Sequence, residues 1–226
     1  MGKGAYLALG TAGAGGLGAG GVMALKPWQS HEQEKSASIR DKYSVALLNA
    51  KGDDTIWDKK YEALGGTYSP HNSFLQQASS KKKGNSPNKE EIKGLLKSGC
   101  EEIYSSDSDN NHNFADFKAL CSKTNENATK EGKNWISDAA SGSGSGSGNN
   151  KWDTVLTSLK SHDISSKWAL DSTLSTLKSE IQGSQNTFTQ DKREKLQKWC
   201  NSNKLEIFKG EESLEFKSQE EFCKAT

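Results

Sequence analysis

The four cysteines are the residues whose type and spacing most clearly indicate chemistry. Cys100 and Cys121 enclose 20 residues, and Cys200 and Cys223 enclose 22. An even number of cysteines, in two pairs of similar spacing, predicts two disulfides if this part of the chain lies outside the cell. The predicted pairs are Cys100 with Cys121 and Cys200 with Cys223. Each would stabilise its loop of about 20 residues by roughly 3 kcal/mol in the chain-entropy model. Buried free thiols that pack as small hydrophobic groups are the alternative interpretation.

Metal and catalytic sites have weaker support. The sequence has no C-x-x-C pair, and no histidine shows ligand spacing with a cysteine, which argues against zinc. Residues 107–111 begin like a calcium loop, but His112 stands where that loop needs glycine and Lys118 where it needs a bidentate glutamate. Neither G-x-S-x-G nor H-E-x-x-H is present, so we expect no enzymatic activity, no cofactor and no small-molecule substrate. The histidines considered are His31, His71, His112 and His162.

The amino-terminal stretch at residues 4–25 contains no charged residue and is bounded by Lys3 and Lys26. At about 1.5 Å per residue, a helix of this length covers a hydrocarbon layer of about 30 Å. Residues 1–28 are therefore predicted to form an uncleaved signal anchor with one transmembrane helix. Because glycine, alanine and threonine dominate the stretch, a cleaved signal peptide and a soluble Gly-rich arm are alternatives.

Small residues recur at every fourth position of this segment, and the stripe includes Gly16 and Gly20. Such a stripe lets two membrane helices approach closely, which predicts packing of the anchor through Gly16 and Gly20. Residues 13–18 also match G-x-G-x-x-G. Since no strand pattern precedes them and no βαβ unit follows, a dinucleotide-binding loop is not expected there.

Composition limits both the core and the partners. Hydrophobic residues make up only 32% of the chain, and many of them lie in the amino-terminal segment. This balance favours thin helical layers over one large core. The 30 Lys and Arg residues nearly cancel the 29 Asp and Glu residues, so no overall field would attract nucleic acid.

A Gly/Ser tract at residues 141–150 divides the chain, and its composition is typical of a flexible linker. The two sides share an order of residues. Trp57 and Trp152 each open a Trp-Asp segment, a cysteine follows after 42 and 47 residues, and an aromatic residue comes shortly before the second cysteine. We predict a diverged duplication, with copy 1 at residues 29–140 and copy 2 at residues 151–226.

Apolar residues in both copies recur with helical spacing. Helix starts are indicated near Ser86, Asp191 and Ser218, where capping residues occur. Strand-like alternation is confined to residues 205–208 and 214–216. The predicted fold class is mainly α, with one N-terminal transmembrane helix followed by two diverged helical modules. The clearest helical stripe consists of Trp152, Val155, Leu156 and Leu159.

Several of these features together resemble a known group of proteins. They are the Gly-rich amino-terminal segment, the Trp-Asp-Lys-Lys-Tyr-Glu-Ala-Leu stretch at residues 57–64, the Lys-Trp-Cys at residues 198–200 and the terminal Phe222 and Cys223. They resemble the large paralogous families of uncharacterised membrane-anchored proteins of haemotropic mycoplasmas. The resemblance implies a wall-less bacterial parasite of red cells with this protein at its surface, and it carries over no catalytic or ligand residues. The first copy departs from the pattern, because Ser-Gly-Cys stands at residues 98–100.

We therefore expect a single-pass protein of the cell membrane with the bulk of the chain extracellular. The expected function is a displayed binding or antigenic module, whose partners are the membrane and either a host-cell surface or another copy of itself. The alternative is a structural envelope or scaffold protein that self-associates through its anchor. Nucleic acid is not an expected partner.

Overall fold

A computed structural model describes residues 37–132, 134–142, 150–185 and 187–225. Most of these residues are helical, which confirms the predicted mainly α class. The α-helices in the described ranges are α1 (Ile39–Lys42), α2 (Asp54–Ala63), α3 (Ser73–Lys82), α4 (Lys89–Tyr104), α5 (Asn111–Asp116), α6 (Lys151–Ser161), α7 (Ser172–Ile181), α8 (Gln190–Asn203) and α9 (Leu214–Phe222).

Short irregular elements complete the described fold. A 3-10 turn covers Ser44–Ala46, and the π-helix Phe117–Cys121 continues directly from α5. Strands β1 (Asn134–Trp135) and β2 (Lys224–Ala225) pair antiparallel, with Trp135 opposite Lys224.

The first helical group consists of α2 to α5 together with the π-helix. Its core contains one face of α4, where Ile92, Leu96, Cys100 and Ile103 are at most 1% exposed. These residues follow the helical spacing of the sequence, so burying one face of an amphipathic helix accounts for the position of α4. Trp57 of α2 fills the same core.

The second helical group consists of α6 to α9. Its core contains the predicted stripe of α6, and each of those four side chains is at most 4% exposed. Leu174, Leu177 and Ile181 of α7 bury the opposing face. The two groups thus have separate cores, and the first core also includes Ile39 of α1 and residues of the π-helix.

Three predicted helix starts are displaced. Asn88, not Ser86, caps α4 by accepting a hydrogen bond from the Glu91 amide at 3.2 Å. The N-cap residue of α8 is Thr189, two residues before the expected cap at Asp191. Ser218 lies inside α9, and residues 214–216, expected to be strand-like, form its first turn. Burial of Phe216 and Phe222 on one side of a helix outweighs the local alternation.

The two groups are in contact. The Asn125 amide donates to the Glu206 carbonyl at 2.9 Å, and the Glu126 amide donates to the Lys204 carbonyl at 2.9 Å. Ile207, which follows α8, packs into the core of the first helical group. The chain after the first group therefore lies alongside the α8–α9 connection and fastens the two groups together.

Among the described helices, none combines the length and the apolar character needed to cross a bilayer. The predicted anchor at residues 1–28, with Gly16 and Gly20, lies outside the described residues and stays a prediction.

Candidate functional site

The two disulfides occupy matching places in the two cores. Cys100 bonds Cys121 with their Cα atoms 5.2 Å apart, and Cys200 bonds Cys223 with their Cα atoms 5.6 Å apart. All four side chains are at most 2% exposed. The first bond ties α4 to the end of the π-helix, and the second ties α8 to the residue that follows α9. These are the pairs that the sequence spacing favours, and no cysteine of the chain is left free.

An ion pair recurs at matching positions in the two groups. Lys93 stands seven residues before Cys100 and contacts Asp58 at 2.9 Å. Arg193 stands seven residues before Cys200 and binds Asp153 through two bonds of 2.7 and 2.8 Å. The Arg193 and Asp153 side chains are only 13% and 9% exposed, whereas Asp58 is 46% exposed. The second pair is therefore the more buried and the better formed of the two.

The tryptophan beside each aspartate also has matching contacts. The Trp57 indole N–H donates to the Asn49 carbonyl at 2.9 Å, and the Trp152 indole N–H donates to the Asp138 carbonyl at 2.8 Å. In both groups the acceptor belongs to the segment that leads into the first helix. A buried indole therefore fixes the entering chain in the same way twice.

The entering and leaving segments of each group pair with one another. Leu47 forms an antiparallel bridge with Ser122, the residue after Cys121. Trp135 pairs with Lys224, the residue after Cys223. The start and the end of each group are therefore neighbours in space.

The described ends of the Gly/Ser tract are fastened to the second helical group. The Asn150 side-chain amide donates to the Ala139 carbonyl at 2.9 Å, and Arg193 donates to the Gly142 carbonyl at 2.9 Å. Trp135 and Ile136, expected to belong to copy 1, pack against the core of the second group. Polar contacts therefore hold the segment before the tract to the same helices as the segment after it, and the predicted division of the chain at residues 141–150 stays a prediction.

A groove of about 590 Å³ lies between α7 and α8. Leu177 forms part of its apolar lining, and the half-buried Trp199 forms another part. The Trp199 indole N–H donates to Asp171 Oδ2 at 2.6 Å, while Asp171 Oδ1 accepts from the Leu174 amide at 2.8 Å. One carboxylate therefore caps α7 and also fixes the plane of the indole. Hydroxyl groups of the groove belong to Ser172, Thr173, Thr176 and Ser202.

The one carboxylate of the described residues that lines the groove, that of Glu180, is paired with two lysines. Glu180 contacts Lys192 at 2.6 Å and Lys195 at 2.9 Å. Hydrogen bonds from Lys192 and Lys195 hold the pKa of the Glu180 carboxyl below its ordinary value, and Glu180 raises the pKa of Lys195. The groove can therefore hold a flat apolar group against Trp199 and hydrogen-bond a polar one, but its carboxylate is not poised to accept a proton.

The corresponding place in the first helical group is closed. Gly99 precedes Cys100 as Trp199 precedes Cys200, and Asn72 caps α3 as Asp171 caps α7. A Cβ atom added at Gly99 would lie 2.8 Å from Asn72 Oδ1 and 2.8 Å from Leu75 Cδ2. Helix α3 therefore packs directly on α4 at the point where Trp199 separates α7 from α8.

The residues weighed as a calcium loop form a turn that starts a helix. Asp107 Oδ1 accepts from the Asp109 amide at 2.8 Å, and the Asn110 side chain caps α5. The rings of His71 and His112 stack with centroids 4.1 Å apart. In the part of the chain that the structure describes, no cluster of three His, Cys, Asp or Glu side chains could hold a metal ion.

The groove itself was missed by sequence reasoning, because a tryptophan on a helical stripe is more often a core residue. The available signal was the contrast between Gly99 and Trp199 at matching positions. No protein-family model matches the chain, and no curated protein or solved structure has significant similarity to it.

Proposed function

We propose that this protein is a membrane-anchored surface protein whose described part lies outside the cell and binds a ligand there. The observation that carries the proposal is the pairing of all four cysteines in two buried disulfides. Disulfides form and persist in oxidising environments and are rare in the cytosol. Residues 1–28 would supply a single-pass anchor, which agrees with the orientation that the disulfides favour.

The two helical groups are proposed to be diverged copies of one module. The same tryptophan contact, ion pair, disulfide and pairing of chain ends support this duplication. Copies that share a framework and differ on their surfaces are typical of proteins whose exposed residues are selected for recognition.

The groove between α7 and α8 is the proposed binding surface. Its Trp199 face is large, rigid and already oriented by Asp171, so little side-chain entropy is lost when a ligand stacks on it. Its Glu180 carboxylate is held by Lys192 and Lys195 rather than free to act as a base, which supports a binding role over a catalytic one. On the resemblance to proteins of haemotropic mycoplasmas, the ligand belongs to a host-cell surface.

Protease treatment of intact cells tests the display. We expect added protease to remove the described part of the chain from intact cells and to leave a short membrane-bound fragment containing residues 1–28. A cytosolic marker protein in the same cells serves as the control for lysis. A chain that is degraded only after the membrane is opened would contradict the proposed orientation.

Binding of the full chain, reconstituted in vesicles, to red-cell membranes tests the groove. Trp199→Ala should abolish most of the binding, because the stacking face is lost. Trp168→Ala removes a half-buried tryptophan of the same group that does not line the groove, and it serves as the matched control. Equal binding by wild type and Trp199→Ala would remove the groove from the proposal.

The scaffold alternative predicts a different result. Crosslinked homo-oligomers that disappear in Gly16→Leu and Gly20→Leu variants, without binding to host membranes, would favour a structural role through the anchor.

A further inference from the structure

A second pocket, of about 650 Å³, opens on the first helical group away from the groove. Lys60 of α2 lines it, together with Phe114 of α5, Ala119 of the π-helix and Leu205 from the second group. Leu205 is 59% exposed, so its side chain is accessible to a ligand. The pocket is within the size range of small-molecule sites and is walled mainly by carbon.

Lys60 is buried in this wall without a counter-ion. Its residue is 7% exposed, and its ammonium group donates to the Ala119 carbonyl at 3.3 Å. No carboxylate of the described residues lies within ion-pair distance of it. Two other polar side chains of the pocket are occupied, since Lys118 contacts Glu206 at 2.9 Å and the Tyr68 hydroxyl donates to Asp116 at 2.6 Å.

Burial lowers the pKa of Lys60 to about 8. Lys60 therefore still carries its proton at neutral pH in most molecules. An ammonium ion with one neutral acceptor in a low-dielectric wall is unfavourable, and an anion in the adjoining pocket would relieve it.

The position that matches Lys60 in the second helical group is occupied by an apolar core residue. Lys60 stands three residues after Trp57, and Val155 stands three residues after Trp152. Val155 is 4% exposed and belongs to the second core. Because an apolar residue fills the core at this position of the second group, we infer that the lysine of the first group has a role other than packing.

We propose that this pocket binds a monoanionic organic acid, whose carboxylate pairs with the Lys60 ammonium and whose apolar body lies against Phe114, Ala115 and Leu205. One unpaired cation matches one negative charge, so an inorganic phosphate dianion would keep an unpaired charge. The carbon lining favours a ligand with an aromatic or aliphatic body. This site is separate from the groove between α7 and α8 and does not depend on it.

Fluorine NMR of 4-fluorobenzoate with the full chain tests the proposal. We expect saturable binding to the wild type, and binding of the uncharged isostere 4-fluorobenzamide weaker by roughly tenfold or more. Lys60→Met should weaken 4-fluorobenzoate binding by a similar factor. Because this change removes a buried charge, we expect the variant to unfold at a temperature no lower than the wild type, which separates lost binding from lost folding.

Lys59→Met is the matched control. Lys59 is the exposed neighbour on the same helix, so its replacement should change 4-fluorobenzoate affinity by no more than about twofold. The proposal is overturned if wild type and Lys60→Met bind equally, if 4-fluorobenzamide binds as well as the acid, if inorganic phosphate displaces the acid at equal concentration, or if no binding is detected.

Discussion

The two helical groups share a framework and differ on their surfaces. Both have a tryptophan that holds the entering chain, an ion pair seven residues before a cysteine, and a disulfide that closes the core. They differ immediately beside that disulfide, where Gly99 lets α3 rest on α4 and Trp199 keeps a groove open between α7 and α8. A single position next to the disulfide therefore distinguishes a group with an open groove from a group in which the two helices are in direct contact.

The second difference lies on another face. Lys60 borders a pocket in the first group, whereas Val155 at the matching position is core. Each group thus departs from the shared framework at a different place, which shows that the surfaces can differ while the framework stays the same. The predictions below test this separation.

The ion pairs should differ most in energy. Arg193→Ala leaves the Asp153 carboxylate buried without its partner and frees the Gly142 carbonyl, so we expect a loss of about 3 to 5 kcal/mol in urea unfolding. Lys93→Ala should cause a clearly smaller loss, because Asp58 is half exposed and keeps Lys89 at 3.0 Å. Equal losses would show that the two pairs are energetically equivalent despite their different burial.

The disulfides should be nearly equal in effect. Replacing Cys100 and Cys121 by alanine, or Cys200 and Cys223 by alanine, should each lower the unfolding free energy by about 3 kcal/mol, because the loops are of similar length. Thermal unfolding of the two double variants measures this. If the two losses of unfolding free energy differ by more than about 2 kcal/mol, the two cores tolerate the loss of a disulfide unequally. That result would contradict the conclusion that the two groups share one framework.

The substitution Lys60→Val gives the first group the residue type that the second group has at the matching position, Val155. The folded-state pKa of Lys60 is about 8 against an ordinary value of 10.5, so the unfolded chain binds the proton more tightly. The penalty is complete below pH 8 and disappears as pH rises past 10.5. We expect Lys60→Val to stabilise the protein at pH 7 by about 3 kcal/mol, and by less than about 1 kcal/mol at pH 10. Urea titrations of both proteins at the two pH values check the sign, and a gain independent of pH would contradict it.

Two glycines of α4 provide the smallest test. Gly99→Ala should destabilise by about 1 kcal/mol, because the new methyl group collides with Asn72 and Leu75. Gly94→Ala meets nothing within 4 Å and should stabilise by up to about 1 kcal/mol through helix propensity. In thermal unfolding we therefore expect Gly99→Ala to lower the midpoint temperature and Gly94→Ala to raise it. Stabilisation by both changes would show that α3 and α4 can move apart enough to accommodate a methyl group at little cost.

Periodicity and cysteine spacing predicted the parts of the fold that depend on burial. The stripe of α6 and the apolar face of α4 are both in the cores, since each combines strong spacing with large side chains. Helix starts were less predictable because several polar residues near each end can cap. Asn88 competes with Ser86, and only the position of the first turn relative to the core decides between them.

The groove and the Lys60 pocket depend on contacts between residues far apart in sequence. The groove requires Trp199 to meet Asp171, 28 residues earlier, and nothing local to either residue indicates that meeting. The Lys60 pocket requires α2, the π-helix and Leu205 to converge. Comparing the two helical groups position by position, with Gly99 against Trp199 and Lys60 against Val155, was the sequence signal that could have indicated both places.

The pairing of chain ends within each group bears on how such a protein can evolve. Because Leu47 meets Ser122 and Trp135 meets Lys224, each unit begins and finishes at nearly the same point in space. A gene segment encoding one unit can then be repeated in tandem without rerouting the chain, since a short connector is enough to start the next repeat. The same geometry makes each unit suited to circular permutation, with new termini placed in an exposed turn.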